Sequence, residues 1–196
     1  MDMREQLLKA AVRVYAEFGY HGTTTRRIAE AAGVNEVTLF RHFGTKEALI
    51  KAALQEAGRL GRPEPLPEPT DPATELHAFA RSCFEQFYRH RNLIRRVMGD
   101  LVENPGIAPA ICAEPGDVHC QLAGYFARLK ERGMARGDVP PEAAAGILIG
   151  AILSHALWRD HLPQEPPPPE TVLRHYVDLV LAAVMATPPA QLPATR

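Results

Sequence analysis

The chain of 196 residues carries 22 Lys+Arg against 23 Asp+Glu, a formal net charge of −1, and 46% hydrophobic residues. A near-neutral mean excludes a protein that coats nucleic acid over its whole surface, and the length is enough for one large core or two modest ones. The mean hides a split: residues 1–62 hold 10 Lys+Arg against 7 Asp+Glu and residues 63–196 hold 12 against 16, a mildly basic head on an acidic body.

The chain opens without an apolar run behind a basic stretch, so no secretory leader is expected and a cytoplasmic protein is. The longest uncharged run free of proline, residues 143–158, falls short of the ~20 apolar residues a membrane helix needs, so no membrane partner is expected.

In the head, Leu7, Ala11, Val14, Tyr15 and Phe18 recur at helical spacing and predict a first helix with one apolar stripe, closed by Gly19. Thr24 is placed to cap a second helix, whose Ile28 and Ala32 face inward. Gly33 supplies the positive φ of a tight turn, and Asn35 caps a short third helix over residues 36–43, with the N–H groups of Glu36, Val37 and Thr38 pointing outward. Leu39 and Phe43 anchor that helix, leaving Val37, Thr38, Arg41 and His42 on its other faces. A short capped helix crossed by another through a glycine turn is a helix-turn-helix, whose second helix enters the major groove of DNA.

A fourth helix is predicted from residue 46 to about 60, followed by a proline-rich stretch over residues 61–72 that reads as an extended surface loop. The body continues with a helix opening at Pro72, one over 92–103 stopped at residues 104–106, a long one over 117–136 stopped by Gly137, and one over 143–161 opened by Pro140-Pro141. The tetraproline 166–169 precedes a last helix over 170–185, and nothing alternates with period two for long enough to suggest a sheet. That last helix is apolar on two stripes, one through Val172, Tyr176, Leu179, Val180 and Ala183, the other through Leu173, Val177, Leu181, Val184 and Met185. Gly146 and Gly150 form a GxxxG spacing on the helix before it. Either these faces are internal core, or two such helices per subunit pair across a two-fold axis into a four-helix bundle.

Three cysteines, Cys83, Cys112 and Cys120, form no CxxC pair, and the cluster Cys112, Glu114, Asp117, His119, Cys120 matches no zinc spacing. Buried structural thiols are expected, with redox or metal sensing as the alternative, and no metal site or cofactor is assigned. No GxSxG, P-loop, GxGxxG or HExxH occurs and no catalytic residue is assigned, so the chain is read as no enzyme.

Over residues 7–49, the combination Ala11, Phe18, Gly19-Tyr20, Thr23-Thr24, Ile28-Ala29, Ala32-Gly33-Val34-Asn35, Thr38-Leu39-Phe40, His42-Phe43 and Thr45-Lys46-Glu47-Ala48-Leu49 resembles the N-terminal domain of the tetracycline-repressor (TetR) family. The resemblance implies an all-α fold, with a three-helix helix-turn-helix DNA-binding domain at residues 1–50 and a helical-bundle effector-binding and dimerisation domain at 51–196. It implies a homodimer, joined through the last two long helices, that binds a palindromic operator in double-stranded DNA and is released by a small-molecule effector. That it represses rather than activates also comes from the resemblance. The alternatives are a DNA-binding or scaffold protein without an effector, and a regulator that responds to redox state through its cysteines.

The candidate DNA-binding residues are Thr24, Thr25, Arg26, Asn35, Glu36, Val37, Thr38, Phe40, Arg41, His42 and Lys46. The resemblance assigns phosphate contacts to Thr24, His42 and Lys46, while Thr38 and Arg41 project from the recognition helix within reach of base edges, with a phosphate contact for Arg41 and a packing role for Thr38 as the alternatives. Phe40 stands where the family usually has tyrosine, and it lacks the hydroxyl that would meet a phosphate. Glu36 either accepts from a cytosine amino group or is tolerated at the helix start. Candidates for an apolar or aromatic effector pocket are Phe79, Cys83, Phe87, Met98, Leu101, Tyr125, Leu129, His155 and Trp158, each of which could equally be ordinary core.

Overall fold

The computed structural model describes residues 2–60, 62–103, 118–162 and 167–185. Among these the chain is all-α: α1 (Met3–Gly22), α2 (Thr25–Ala32), α3 (Glu36–Phe43), α4 (Lys46–Leu60), α5 (Pro72–Arg89), α6 (Arg91–Glu103), α7 (Val118–Glu131), α8 (Pro141–Trp158) and α9 (Pro169–Val184). Extended pairing among the described residues is limited to one isolated bridge, Ala135 to Met185. Of the readings above, Gly61, residues 104–106, Cys112, Glu114, Asp117 and Pro166 lie outside the described residues.

The chain divides into two compact units, Met1–Arg62 with Gln86–Pro115, and Pro63–Glu85 with Gly116–Arg196. In the first, α1 packs on α2, α4 and α6. Its core holds Leu7, Leu8, Ala11 and Val14 of α1 against Ile28, Ala32, Leu39, Leu49 and Ala53. A second cluster joins Tyr15 to Ile50, Leu54 and Val97, with Leu93 and Leu101 against it.

The predicted stripe of α1 is buried except for Phe18, which is 40% exposed with the Arg27 guanidinium 4.3 Å from its ring centre. One residue later the helix breaks, because Gly19 adopts φ 68° and ψ −174°. Thr23 then ties the short continuation down, its N–H and hydroxyl both donating to the Gly19 carbonyl at 3.0 and 2.5 Å.

α7 stops at Glu131 rather than running to residue 136. Gly133 takes φ 68°, its N–H bonds to the Lys130 carbonyl and that of Met134 to Leu129, a Schellman closure that a β-carbon would oppose. In the second unit α8 packs against α7 and α9, burying Ala144, Ala145, Leu148, Ile152 and Ala156. With the 3-10 turn Arg159–His161 it forms a 21-residue segment, Pro141–His161, whose most apolar 18-residue window has a mean hydropathy of 1.3. By length and composition that segment does reach the membrane-spanning range, which the shorter run 143–158 had not.

The proline-rich stretch is held on α7 by two arginines. Arg128 donates to the Pro67 carbonyl at 3.3 Å, and Arg132 donates to Pro69 at 2.7 Å and to the Glu68 carboxylate at 2.5 Å. Glu75 accepts from the N–H groups of Thr70 and Asp71 and from the Thr70 hydroxyl, and Tyr125 donates its hydroxyl to the same carboxylate. Burial works against the charge of Glu75, but these donors together hold its pKa down to about 2.

Candidate nucleic-acid interface

The head places its candidate residues through local caps. Thr24 is the N-cap of α2 and its hydroxyl accepts from Arg27 N–H at 3.2 Å. α2 ends on Gly33 at φ 67°, with Gly33 N–H bonded to Glu30 and Val34 N–H to Ala29, so the turn closes as a Schellman motif. Asn35 caps α3, its side chain accepting from Val37 N–H at 2.9 Å. Thr38 N–H bonds to the Asn35 carbonyl at 2.9 Å. Of the three N–H groups expected to point outward, the cap itself therefore occupies two.

Leu39 is buried and Phe43 half-buried against the head core, which turns the opposite side of α3 outward. Val37 is 72% exposed and Phe40 47%, and Arg41 and His42 are exposed as well. No hydrogen bond or ion pair holds Arg41 among the described residues. Thr38 is half-buried on the flank of this face rather than at its centre.

Glu36 is half-buried, and its carboxylate accepts from the Thr25 hydroxyl at 2.6 Å, bridging the first turns of α2 and α3. Arg26 is exposed and paired with Glu30 at 2.9 Å. Lys46 is half-buried, donating to the Tyr20 carbonyl at 3.3 Å with its ammonium 4.6 Å from the Tyr20 ring centre. Sequence reasoning did not identify the Thr25–Glu36 pair or the seat of Lys46, since neither follows from helical spacing.

A second arrangement missed by the sequence lies where α6 meets the break in α1. Asp100, 8% exposed, accepts from Tyr20 N–H at 3.0 Å, and Arg96 donates to the Glu17 carbonyl at 3.1 Å. α6 thus supplies an acceptor and a donor to two backbone groups beside the break at Gly19. Burial, and next the Asp100 carboxylate, push the Tyr15 phenol pKa up. Beside this contact a cleft of about 420 Å³ is lined by Ala16, Asn92, Arg95, Arg96, Gly99, Asp100 and Glu103.

The candidate effector residues fall in both units. Phe79, Cys83, Tyr125, Leu129 and His155 are buried in the second, where the His155 ring stands 5.5 Å from Phe84 and 6.1 Å from Tyr176, centre to centre. Trp158 is 57% exposed at the end of α8. Phe87, Met98 and Leu101 belong to the first unit, with Met98 49% exposed and Leu101 against the Tyr15 cluster. Burial pushes the Cys83 thiol up to about 12, and Cys120 is exposed. Among the described residues no group of three His, Cys, Asp or Glu side chains is placed to hold a metal ion.

Residues 7–53 match the model of bacterial regulatory proteins of the TetR family. Residues 74–187 match the C-terminal domain of AefR-like transcriptional repressors. Over 187 residues the chain is 25% identical to the uncharacterized HTH-type transcriptional regulator YvkB of Bacillus subtilis, covering 93% of this chain and 97% of that one. Its head is 45% identical over 60 residues to the HTH-type transcriptional repressor AcnR of Corynebacterium glutamicum, 30% of this chain and 32% of that one. Among solved structures, the flavonoid-responsive regulator FrrA superposes with a TM-score of 0.72 at 21% identity, covering 93% of this chain and 97% of that one, a likeness of fold.

Proposed function

The chain belongs to the TetR family of helix-turn-helix transcriptional regulators, and from that premise we propose that it is a cytoplasmic, ligand-responsive repressor that binds a palindromic operator as a homodimer. Residues 1–50 form the DNA-binding domain and 51–196 the effector and dimerisation domain. The observation that carries this reading is the outward side of α3, where Val37, Phe40, Arg41 and His42 are exposed while Asn35 and Glu36 are tied up in holding the motif together. Such a face meets base edges, and Thr24, Arg26, His42 and Lys46 flank it as cations or donors for phosphates.

Dimerisation is supported by what α8 and α9 leave outside. Ile147 and Trp158 on α8 and Leu179 on α9 are 66%, 57% and 70% exposed, and Gly150 lies exposed between them with nothing within 4 Å of a built β-carbon. A second copy covering these helices buries that surface, and two α3 helices that read successive major grooves on one DNA face stand about 34–36 Å apart. The effector is a small apolar or aromatic molecule, a reading supported by the aromatic content of α5 and α7 and by the flavonoid response in the name of the neighbour FrrA. Redox control through Cys83 is disfavoured, since its buried thiol does not ionise near neutral pH.

The test is selection from random duplex DNA together with sedimentation of the free protein. Enrichment of a two-fold symmetric site and a dimer that Gly150→Leu weakens are expected. Asymmetric half-sites alone, or a monomer at high micromolar concentration for the unaltered chain, would overturn the dimeric reading.

A further inference from the structure

Val37 stands exposed on the outward side of α3, and folding gives no reason for a valine there. It is 72% exposed, it is β-branched in a helix of eight residues, and at such a position alanine is the better helix former. Phe40, three residues on and therefore its neighbour on the helix surface, is 47% exposed. The two make an exposed apolar strip that runs from the side opposite Leu39 toward the Phe43 flank. Arg41, four residues from Val37, adds one cation beside it.

The Glu36 carboxylate, the one cytosine acceptor at this helix start, is half-buried and tied through Oε2 to the Thr25 hydroxyl, so part of its acceptor capacity is spent within the protein and the strip beside it is apolar. In the major groove the one apolar group on any base edge is the thymine 5-methyl. Resting on the DNA-binding reading above, we infer that Val37, with Phe40 beside it, is the specificity-determining contact of α3 and that it reads thymine methyl groups. This moves the centre of readout from Thr38, on the flank, to Val37. The strip spans roughly one or two base steps of ~3.4 Å, so one or two thymines per half-site are involved.

The experiment takes the duplex enriched from a random library and resynthesises it with deoxyuridine at each thymine in turn, which removes the 5-methyl and keeps the pairing and the O4 acceptor. Roughly fourfold weaker binding is expected at one or two thymines of each half-site, the worth of one buried methyl, and none elsewhere. Val37→Ala, with folding checked by circular dichroism, is expected to bind the thymine duplex several-fold more weakly and to be indifferent to uridine at those positions. Val37→Thr, which keeps the shape and adds a hydroxyl, is expected to fall between the two. Unchanged affinity with uridine throughout, or a uridine penalty that persists in Val37→Ala, overturns the methyl reading alone. Failure to enrich any duplex overturns the DNA-binding reading and this inference with it.

Discussion

Asp100→Ala removes the acceptor that α6 offers to the broken end of α1. The carboxylate is 8% exposed and takes Tyr20 N–H at 3.0 Å. That donor has lost its place in the helical ladder, because Gly19 turns the chain at φ 68°. A part-buried N–H stripped of a charged partner costs up to ~1.5–3 kcal/mol, and relief from burying a carboxylate offsets part of it. A net loss of about 2 kcal/mol is expected, equivalent to roughly 4–8 °C in Tm for a domain of this size. Asp100→Asn keeps an acceptor oxygen and loses only the charge, so its loss is expected near 1 kcal/mol. Urea unfolding of both variants and the unaltered chain, at one fixed protein concentration because association shifts apparent stability, reads these differences as midpoint shifts at unchanged slope. If Asp100→Ala unfolds within about 0.5 kcal/mol of the unaltered chain, Asp100 does not hold the break. A loss in Asp100→Asn as large as in Asp100→Ala would place the energy in the charge and not in the Tyr20 bond.

Burial, then the neighbouring Arg159, lowers the His155 pKa below its ordinary 6.5, with Arg159 Nη1 at 3.2 Å from Nε2. The folded state therefore resists protonation that the unfolded chain accepts, so stability is full above about pH 6.5 and declines as pH falls below it; unfolding at pH 7.5 and 5.5 should show this, and His155→Gln should flatten the difference. Lys46→Ala should weaken binding to all duplexes alike and lower the salt dependence by about one unit of slope, measured across a salt series. Because Lys46 also holds Tyr20, a modest stability loss of ~0.5–1 kcal/mol should accompany it; that loss with an unaltered salt slope would show the lysine serving Tyr20 and no phosphate.

What could be read in the sequence was local. The bounds of α3 and α4, the αL turn at Gly33 and the caps Thr24 and Asn35 follow from side chains that act on backbone groups two or three residues away. The end of α7 was misplaced because Gly133 and Gly137 are equally good stops in isolation, and hydrogen bonding to Leu129 and Lys130 selects the first. Phe18 matched the spacing of the α1 stripe, yet a 3.6-residue period does not say where the covering helices end, and Arg27 covers it instead. The contacts that shape the site span larger gaps. Thr25 meets Glu36 across 11 residues, Tyr125 meets Glu75 across 50, and Tyr20 meets Asp100 across 80. No periodicity encodes such pairs. Glu36 is the instructive case: alone it left cytosine readout open, and only the folded chain brings Thr25 to one of its oxygens.

Exposed apolar side chains tie the two proposed surfaces to one physical argument. Val37 at 72%, Ile147 at 66% and Leu179 at 70% exposure each forgo most of the ~1.5–3 kcal/mol that burying such a side chain yields. On a monomer these residues contribute almost nothing to folding, and scattered singly they would need no account. They are not scattered. Val37 lies on the outward side of a capped helix, where the other exposed side chains are Phe40, Arg41 and His42. Ile147 shares its helix with the exposed Gly150 and Trp158, in a unit whose remaining core is closed by α7 and α9. The first surface is narrow and bordered by cations, as a groove between phosphates requires. The second places Ile147, Gly150 and Trp158 on one helix and Leu179 on the next, apolar positions that a second copy of the same helices covers. Burial withheld from folding thus becomes available to binding. The two gains are separable, because Val37→Ala should alter only the DNA contact and Gly150→Leu chiefly the association of copies.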